Sequence, residues 1–404
     1  MTCARVAVFG AAVVLALVGC SSIPDDASET CAGRALAPFV ADGRLPAAIS
    51  VFYRDGVQEV ALLGYADEAT GRKVAMDSVF MQCSQTKGFC GVTIAMLVEE
   101  GKISLDDPVA KYLPEFRTLW VKESVSNETY VVRKARNELT IRNVMNHTGG
   151  FDFELPAFRA QGWARRMPLR SVALEAAAQP LLFEPGTNVR YSNVGIDIGA
   201  AIVEVVTGKR WEEFLQERVL TPLEMDDTTF WPSEGQLSRL IAPHRCRKGQ
   251  SALRIDEFAD MRRPYNDDRV FPSAGAGLWT TAADQLKFYK MLMNLGLGDN
   301  GVRILKEETV QKYLATSTRP LEMEGYSLGL VAPRRDGVGD WFGHGGARGT
   351  NCMVNWHKKE LKLWVVQLEG GPRPWDEARN RAEREFFSRP IDNSAIDAYT
   401  GRMQ

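Results

Sequence analysis

The chain is short of histidine and of net charge. Its four histidines in 404 residues show no HExxH and no three-ligand spacing, so neither a catalytic metal nor any other cofactor is expected. A formal net charge of -2 gives no basic footprint for a nucleic acid. Cysteine is present but sparse: Cys3, Cys20, Cys31, Cys83, Cys90, Cys246 and Cys352 form no CxxC pair and no dense framework, which excludes a zinc ribbon or a disulfide scaffold. Cys83 and Cys90 would stand about 10 Å apart on a helix, too far to bridge, and read as small buried hydrophobes. Internal repeats, heptads and long low-complexity segments are also missing. What is left is an ordinary globular composition, 45% hydrophobic and 25% charged, with ample material for a sizeable core.

The N-terminal apolar run, residues 6–18 after Arg5, is too short for a transmembrane helix and has the size of a signal-peptide core. It ends in Leu17-Val18-Gly19-Cys20, which resembles the bacterial lipoprotein box. On that reading residues 1–19 are removed, Cys20 is lipidated, and 20–34 hold the lipidated cysteine and a polar tether (SSIPDDASET over 21–30). The alternative is a secretory signal cut near Gly19, with Cys20 incidental. The lipoprotein reading implies an exported protein anchored to a membrane and facing the periplasm or cell exterior. Residues 35–388 then form the main domain and 389–404 a tail.

Hydrophobic periodicity predicts a hairpin over 47–65 turning at Asp55-Gly56. Residues 89–98 are apolar on most faces, as in a helix at the protein centre, and stop at Gly101. Further helices are expected at 196–207, 211–219 and 281–295, the last with Thr281 as N-cap. Strands are expected at 326–331, 350–356 and 361–368, and an amphipathic helix at 375–387. The stretch 122–137 is polar and reads as an irregular loop. Strands at both ends with helices between them predict an α+β fold: a mainly antiparallel sheet built from both chain termini, flanked by helices, with a helical region inserted.

Chemistry concentrates in the tetrad Ser84-Gln85-Thr86-Lys87. A hydroxyl and an amine three residues apart fall on one face of a helical turn, which sets a potential nucleophile beside a cation. Two later motifs give it partners: Tyr191-Ser192-Asn193 and His344-Gly345-Gly346. Acyl transfer through serine needs a nucleophile, a base, an oxyanion hole and an acid for the leaving group. Ser84 supplies the first, Tyr191 and Lys87 are candidates for proton transfer, and backbone N–H groups at Ser84 and a Gly-rich strand edge could form the hole. His147, His244 and His357 have no partner spacing; the first reads as holding a turn and the others as surface or loop residues.

On these motifs the chain resembles the β-lactamase-related serine hydrolases: class C β-lactamases, DD-peptidases and esterases of one fold. The likeness extends through Gly101-Lys102-Ile103-Ser104-Leu105-Asp106-Asp107-Pro108, Met145-Asn146-His147-Thr148-Gly149-Gly150, Gly275-Ala276-Gly277-Leu278 and Tyr326-Ser327-Leu328-Gly329, from about residue 35 to 368. It implies the β-lactamase/transpeptidase-like fold, with Ser84 acylated, Lys87 its proton partner and Tyr191 the base. Asn193 would orient Lys87 or a substrate amide. Ser84 and Ala347 would give the oxyanion hole their N–H groups, and His344, Gly345 and Gly346 would line the substrate. The chain departs from the family at His344, where true β-lactamases carry lysine; a neutral imidazole is the poorer partner for a substrate carboxylate. Gln82-Cys83 replaces the small apolar pair usual before the serine.

The reading implied is an envelope-anchored serine hydrolase acting on an ester or amide, including D-amino-acyl peptides. Its alternatives are a class C-like β-lactamase and an inactive lipoprotein that senses cell-wall fragments. Partners are expected to be a small-molecule or peptide substrate and, through the lipid, a membrane. One requirement can be stated as energy. A free tyrosine titrates near ~10, and a tyrosinate base at neutral pH needs a drop of about 3 units, or on the order of 4 kcal/mol from its neighbours. A proton shared between Tyr191 and Lys87 would serve as well.

Overall fold

The structure, a computed structural model, describes residues 29–125, 129–156, 167–246, 254–255, 270–320, 322–323, 325–333, 341–371 and 373–388. The signal segment, Cys20 and the tail 389–404 lie outside them. Both chain ends build one six-stranded antiparallel sheet from β1 (Ala47–Arg54), β2 (Val57–Asp67), β3 (Arg72–Lys73), β4 (Phe342–Gly346), β5 (Thr350–Asn355) and β6 (Glu360–Val365). The strand order is β4-β5-β6-β1-β2-β3. The β1–β2 turn has Asp55 and Gly56 both at positive φ (49 and 87), the conformation whose twist suits a two-residue hairpin. β1 lies at the centre, with Ile49 opposite Val365 and Val51 opposite Leu363.

Because side chains alternate along a strand, β1 feeds two cores. Ala47, Ile49 and Val51 enter the main one. Ala48 and Phe52 face a smaller one under α1 (Cys31–Ala41) and a C-terminal helix, α5 (Asp376–Ser388). On the main side lie α2 (Thr86–Glu99), α3 (Asn193–Thr207) and α4 (Ala282–Met293). Every residue of α2 from Thr86 to Leu97 is buried, as an all-round apolar sequence requires. Phe89 of α2 stacks on Phe288 of α4 with ring centroids 3.7 Å apart.

Four expectations are corrected. Residues 326–331 form no strand: Ser327 N–H bonds to Leu330 O at 2.8 Å and Tyr326 bridges Val331, so the apolar run folds back on itself. The expected strand 361–368 splits at Gln367 (φ 46), after which Leu368–Gly370 leaves the sheet to pair in parallel with His244–Cys246. That pairing buries His244, which is 7% exposed and no surface residue. Within 122–137 stands a hairpin, Trp120–Val125 with Tyr130–Lys134; paired Val131 and Val132 favour a strand despite the polar surroundings. The smaller readings fare better: α3 begins three residues before its expected start, and Cys83 and Cys90 are buried.

Gly91 marks how closely α2 is held. A Cβ there would stand 1.8 Å from the Leu328 carbonyl oxygen. Helix propensity alone would make Gly91→Ala stabilising by roughly 1 kcal/mol. The packing reverses the sign, and thermal or urea melts should show G91A melting below wild type; equal or higher stability would contradict the close approach.

Candidate active site

Ser84 sits where a strand turns into α2. Val79–Met81 pairs antiparallel with Trp279–Thr281, Met81 opposite Trp279. Gln82 N–H then bonds to Leu278 O at 3.1 Å, and Cys83 turns the chain at φ 52. A non-glycine residue in that region costs on the order of 1–2 kcal/mol, and the surroundings pin it. The Thr86 hydroxyl donates to Cys83 O at 2.7 Å, and Thr350 of β5 donates its hydroxyl proton to Gln82 O at 3.1 Å. Gln285 of α4 donates from Nε2 to Gln82 Oε1 and Gln85 Oε1, at 3.1 and 2.8 Å. The two glutamines flanking the serine are therefore bonded inside the core. Cys83–Gln85 forms one 3-10 turn, and Thr86 opens the helix.

Lys87 is 0% exposed. Its Nζ donates to Ser84 Oγ at 3.1 Å, Asn193 Oδ1 at 2.7 Å and the Gly275 carbonyl at 2.6 Å. Asn193 opens α3, whose N-cap is the Ser192 side chain accepting from Gly195 N–H. Burial brings Lys87 down to about 7, with the Asp197 carboxylate pulling the other way. A lysine near 7 spends much of its time neutral at physiological pH. A neutral amine has two N–H donors and one lone pair. Asn193 Oδ1 and Gly275 O can only accept, so the lone pair is left for the one neighbour that can donate, the Ser84 hydroxyl.

Tyr191 also bonds to the Ser84 side chain, yet burial raises its phenol above the ordinary tyrosine value. The drop that a tyrosinate base would need is not found: burial outweighs the Ser84 hydrogen bond, and Lys87 Nζ lies over the face of the ring, 4.6 Å from its centroid. Tyr191 thus remains a phenol, a donor, at neutral pH.

β4 brings the third motif to the same turn. A Cβ on Gly346 would stand 2.4 Å from Gln82 O and 3.2 Å from Cys83 Cβ, so only glycine lets β4 lie against the Ser84 turn. The Arg348 backbone N–H faces the Cys83 thiol, so the chain just after Ala347 lies against the residue before Ser84. His344 is 6% exposed. Its Nδ1 lies 2.5 Å from Gly345 O and its Nε2 2.9 Å from the Tyr326 hydroxyl. A carbonyl only accepts, so the proton is on Nδ1 and Nε2 accepts from Tyr326. Burial, reinforced by Lys87, lowers His344 to about 3. Both nitrogens are engaged by the protein and the ring carries no charge.

His147 fills the space behind these rings, its centroid 4.5 Å from that of Tyr191 and 4.6 Å from that of Tyr326. Its Nδ1 accepts from Ser192 N–H at 3.3 Å, and its own peptide takes φ 65. It holds the turn, as expected, and also backs Tyr191. Phe153, 38% exposed, stacks on the outer side of Tyr191 with centroids 6.1 Å apart. The structure thus brings together Ser84, Lys87, Tyr191, Asn193, His344 and Gly346 from three separate segments. Sequence reasoning quoted Tyr326 in a family segment without giving it a role and passed over Gln285 and Asp197; the last stands four residues after Asn193, a spacing that could have found it. Among the described residues no group of three or more His, Cys, Asp or Glu side chains is placed to hold a metal ion.

A family model described as Beta-lactamase matches residues 32–382. Penicillin-binding protein 4 of Amycolatopsis lactamdurans is 29% identical over 313 residues, 75% of this chain and 74% of that protein. Esterase EstB of Burkholderia gladioli is 29% identical over 269 residues, 60% of this chain and 64% of its own length. Among solved structures, the LovD6 mutant of simvastatin synthase from Aspergillus terreus superposes with a TM-score of 0.74 at 20% identity, covering 90% of this chain and 95% of that one.

The site generates a pH dependence. Below about 7 Lys87 is protonated and has no lone pair for Ser84, so acylation should slow about tenfold per pH unit on the acid side and level off above. The rate of Ser84 labelling by a fluorophosphonate, measured across pH, is expected to have its midpoint near 7. A rate that keeps climbing through about 10 would instead make Tyr191 the group that must lose a proton.

Proposed function

The chain belongs to the Beta-lactamase family and is a serine hydrolase, and from that premise we propose that it cleaves uncharged esters through an acyl-enzyme on Ser84. The observation that carries the substrate class is the state of His344. The position that holds a lysine in true β-lactamases is occupied here by an imidazole that burial keeps neutral down to about 3, with both nitrogens already bonded. A carboxylate-bearing D-peptide or β-lactam finds no cation at that position, whereas a neutral ester needs none. The two relatives differ by name, one a penicillin-binding protein and one an esterase, and the imidazole favours the second.

In the proposed cycle the Ser84 hydroxyl gives its proton to the Lys87 lone pair as Oγ attacks the ester carbonyl carbon. The N–H groups of Ser84 and Ala347 receive the developing oxyanion. The tetrahedral intermediate collapses with cleavage of the ester C–O bond. The leaving oxygen takes a proton from the Tyr191 phenol, which Lys87 restores. Water then attacks the acyl carbon, again losing its proton to Lys87, and Ser84 leaves as a hydroxyl with the proton returned. Tyr191 acts in this reading as donor and relay rather than as tyrosinate base.

Residues 1–20 support a second element of the proposal, anchoring at the cell envelope through lipid on Cys20. The Thr30 side chain, ten residues after Cys20 in the sequence, caps α1 by accepting from Gly33 N–H at 2.8 Å. No helix among the described residues is long and apolar enough to cross a membrane.

Two experiments test this. Turnover of p-nitrophenyl butyrate should exceed that of a chromogenic cephalosporin by orders of magnitude; Ser84→Ala should abolish it, and Tyr191→Phe should lower kcat about 100-fold or more with the fold intact. Preferred turnover of the cephalosporin would defeat the ester assignment. Labelled palmitate should enter the wild-type chain in a bacterial host and not Cys20→Ala; equal labelling of both would remove Cys20 as the anchor.

A further inference from the structure

Gly275 meets Lys87 with its carbonyl and a buried acid with its N–H. The carbonyl accepts from Nζ at 2.6 Å. The N–H donates to Asp197 Oδ1 at 3.1 Å, and the Ser273 hydroxyl donates to the same oxygen at 3.4 Å. Asp197 is 1% exposed and follows Asn193 by one turn of α3, so both side chains stand on one helix face. A Cβ at 275 would lie 2.8 Å from Asn193 Cβ and Oδ1, so the backbone there is pressed onto α3. One face of α3 therefore grips Lys87 twice: directly through Asn193, and through the Gly275 backbone from Asp197.

We propose that Asp197 is a positioning residue that lets Lys87 both take and return the Ser84 proton, by fixing the Gly275 carbonyl on Nζ and by opposing the burial of its charge. The proposal rests on reading Lys87 as the proton acceptor. A lysine surrounded only by neutral groups in this cavity would be too weak a base to hold the proton until the leaving group needs it; one paired directly with a buried anion would never give up its own. Every other titratable group that faces it is neutral at physiological pH. Burial raises Cys83 on its own turn, Cys90 on α2 and Tyr191 beside α3. Burial lowers His147 and His344. Arg319 acts on His147 and on Tyr326. After burial itself, the Asp197 carboxylate is the largest influence on Lys87.

The test reads the protonation of Lys87 rather than turnover. Full-length protein with 13C-labelled lysine is titrated by NMR, the Lys87 signal being the one lost in Lys87→Arg. Wild-type Lys87 is expected to titrate near 7. Asp197→Asn keeps an acceptor oxygen and removes the charge, and should move that midpoint down by about one pH unit or more. The midpoint of fluorophosphonate labelling should move with it. Asp197→Ser should shift the midpoint the same way and serves if the asparagine variant does not fold. A wild-type midpoint above about 10 would sink the reading of Lys87 itself. A wild-type midpoint near 7 that both variants leave in place would overturn the role of Asp197 alone.

Discussion

The hydrogen bonds around Lys87 Nζ are the constraint on which the rest of the site depends. Burying an ammonium group without partners costs several kcal/mol, and α2 is buried on every face, so the side chain cannot escape to solvent. Its three acceptors come from its own turn, from the start of α3 and from the loop before Trp279. Those segments are 106 and 188 residues away from it in the chain. Each must arrive within a few tenths of an ångström or leave a buried polar atom unpaired. The short pairing of Val79–Met81 with Trp279–Thr281 secures two of them together, because the serine turn leaves one strand as the Gly275 loop enters the other. Ser84 is placed by the same geometry that satisfies the lysine.

Low polarity, not an array of charges, governs the surroundings. Desolvation disfavours whichever form is charged. The same burial therefore raises Tyr191, Tyr326 and Cys83 and lowers His147 and His344. The outcome is a cluster of neutral donors and acceptors in which imidazole and phenol rings lie 4.5 to 6.1 Å apart. Such a wall is what the proposed neutral-ester substrate would require. It also explains why the substitution at residue 344 is more than a change of side chain. A lysine there would sit against Tyr326, within the reach of Lys87, and would have to bear both burial and like-charge repulsion.

Much of this was legible in the chain. The two-ended antiparallel sheet followed from strand patterns at both termini, and the apolar run after Lys87 announced a central helix. The Ser84–Lys87 spacing, with Tyr191 and His344, named the residues that meet. What could not be read were properties made by contact. Residues 326–331 look like a strand because Tyr326, Leu328 and Leu330 are apolar and buried, but Ser327 turns back onto Leu330 while Leu328, Gly329 and Val331 donate to three separate partners, Tyr313, Met145 and Gly343. His244 looked superficial because no local signal reveals that Leu368–Gly370 turns away to pair with it. Asp197 was passed over because a lone acid in an apolar helix has no meaning until Gly275 is placed beside it.

The protonation of Tyr191 is the clearest case of contact deciding what sequence left open. Lowering a phenol by about 3 units needs on the order of 4 kcal/mol of preferential stabilisation of its anion, and a nearby ammonium is the natural source. An ammonium–tyrosinate pair must be favoured over the neutral pair by more than the desolvation of both ions. That gain depends on the cation approaching the oxygen, where the charge is concentrated. Here Nζ is committed to Asn193, Gly275 and Ser84 and lies over the ring, 4.6 Å from its centre. The ring face attracts a cation by roughly 0.5–2 kcal/mol, in a contact that does not require the phenol to ionise. The balance therefore falls to the neutral pair, with the phenol retaining its proton and the amine free to accept one. In the proposed cycle both partners then have work in acyl transfer: an amine to open the reaction at Ser84, and a phenol to close it at the leaving oxygen.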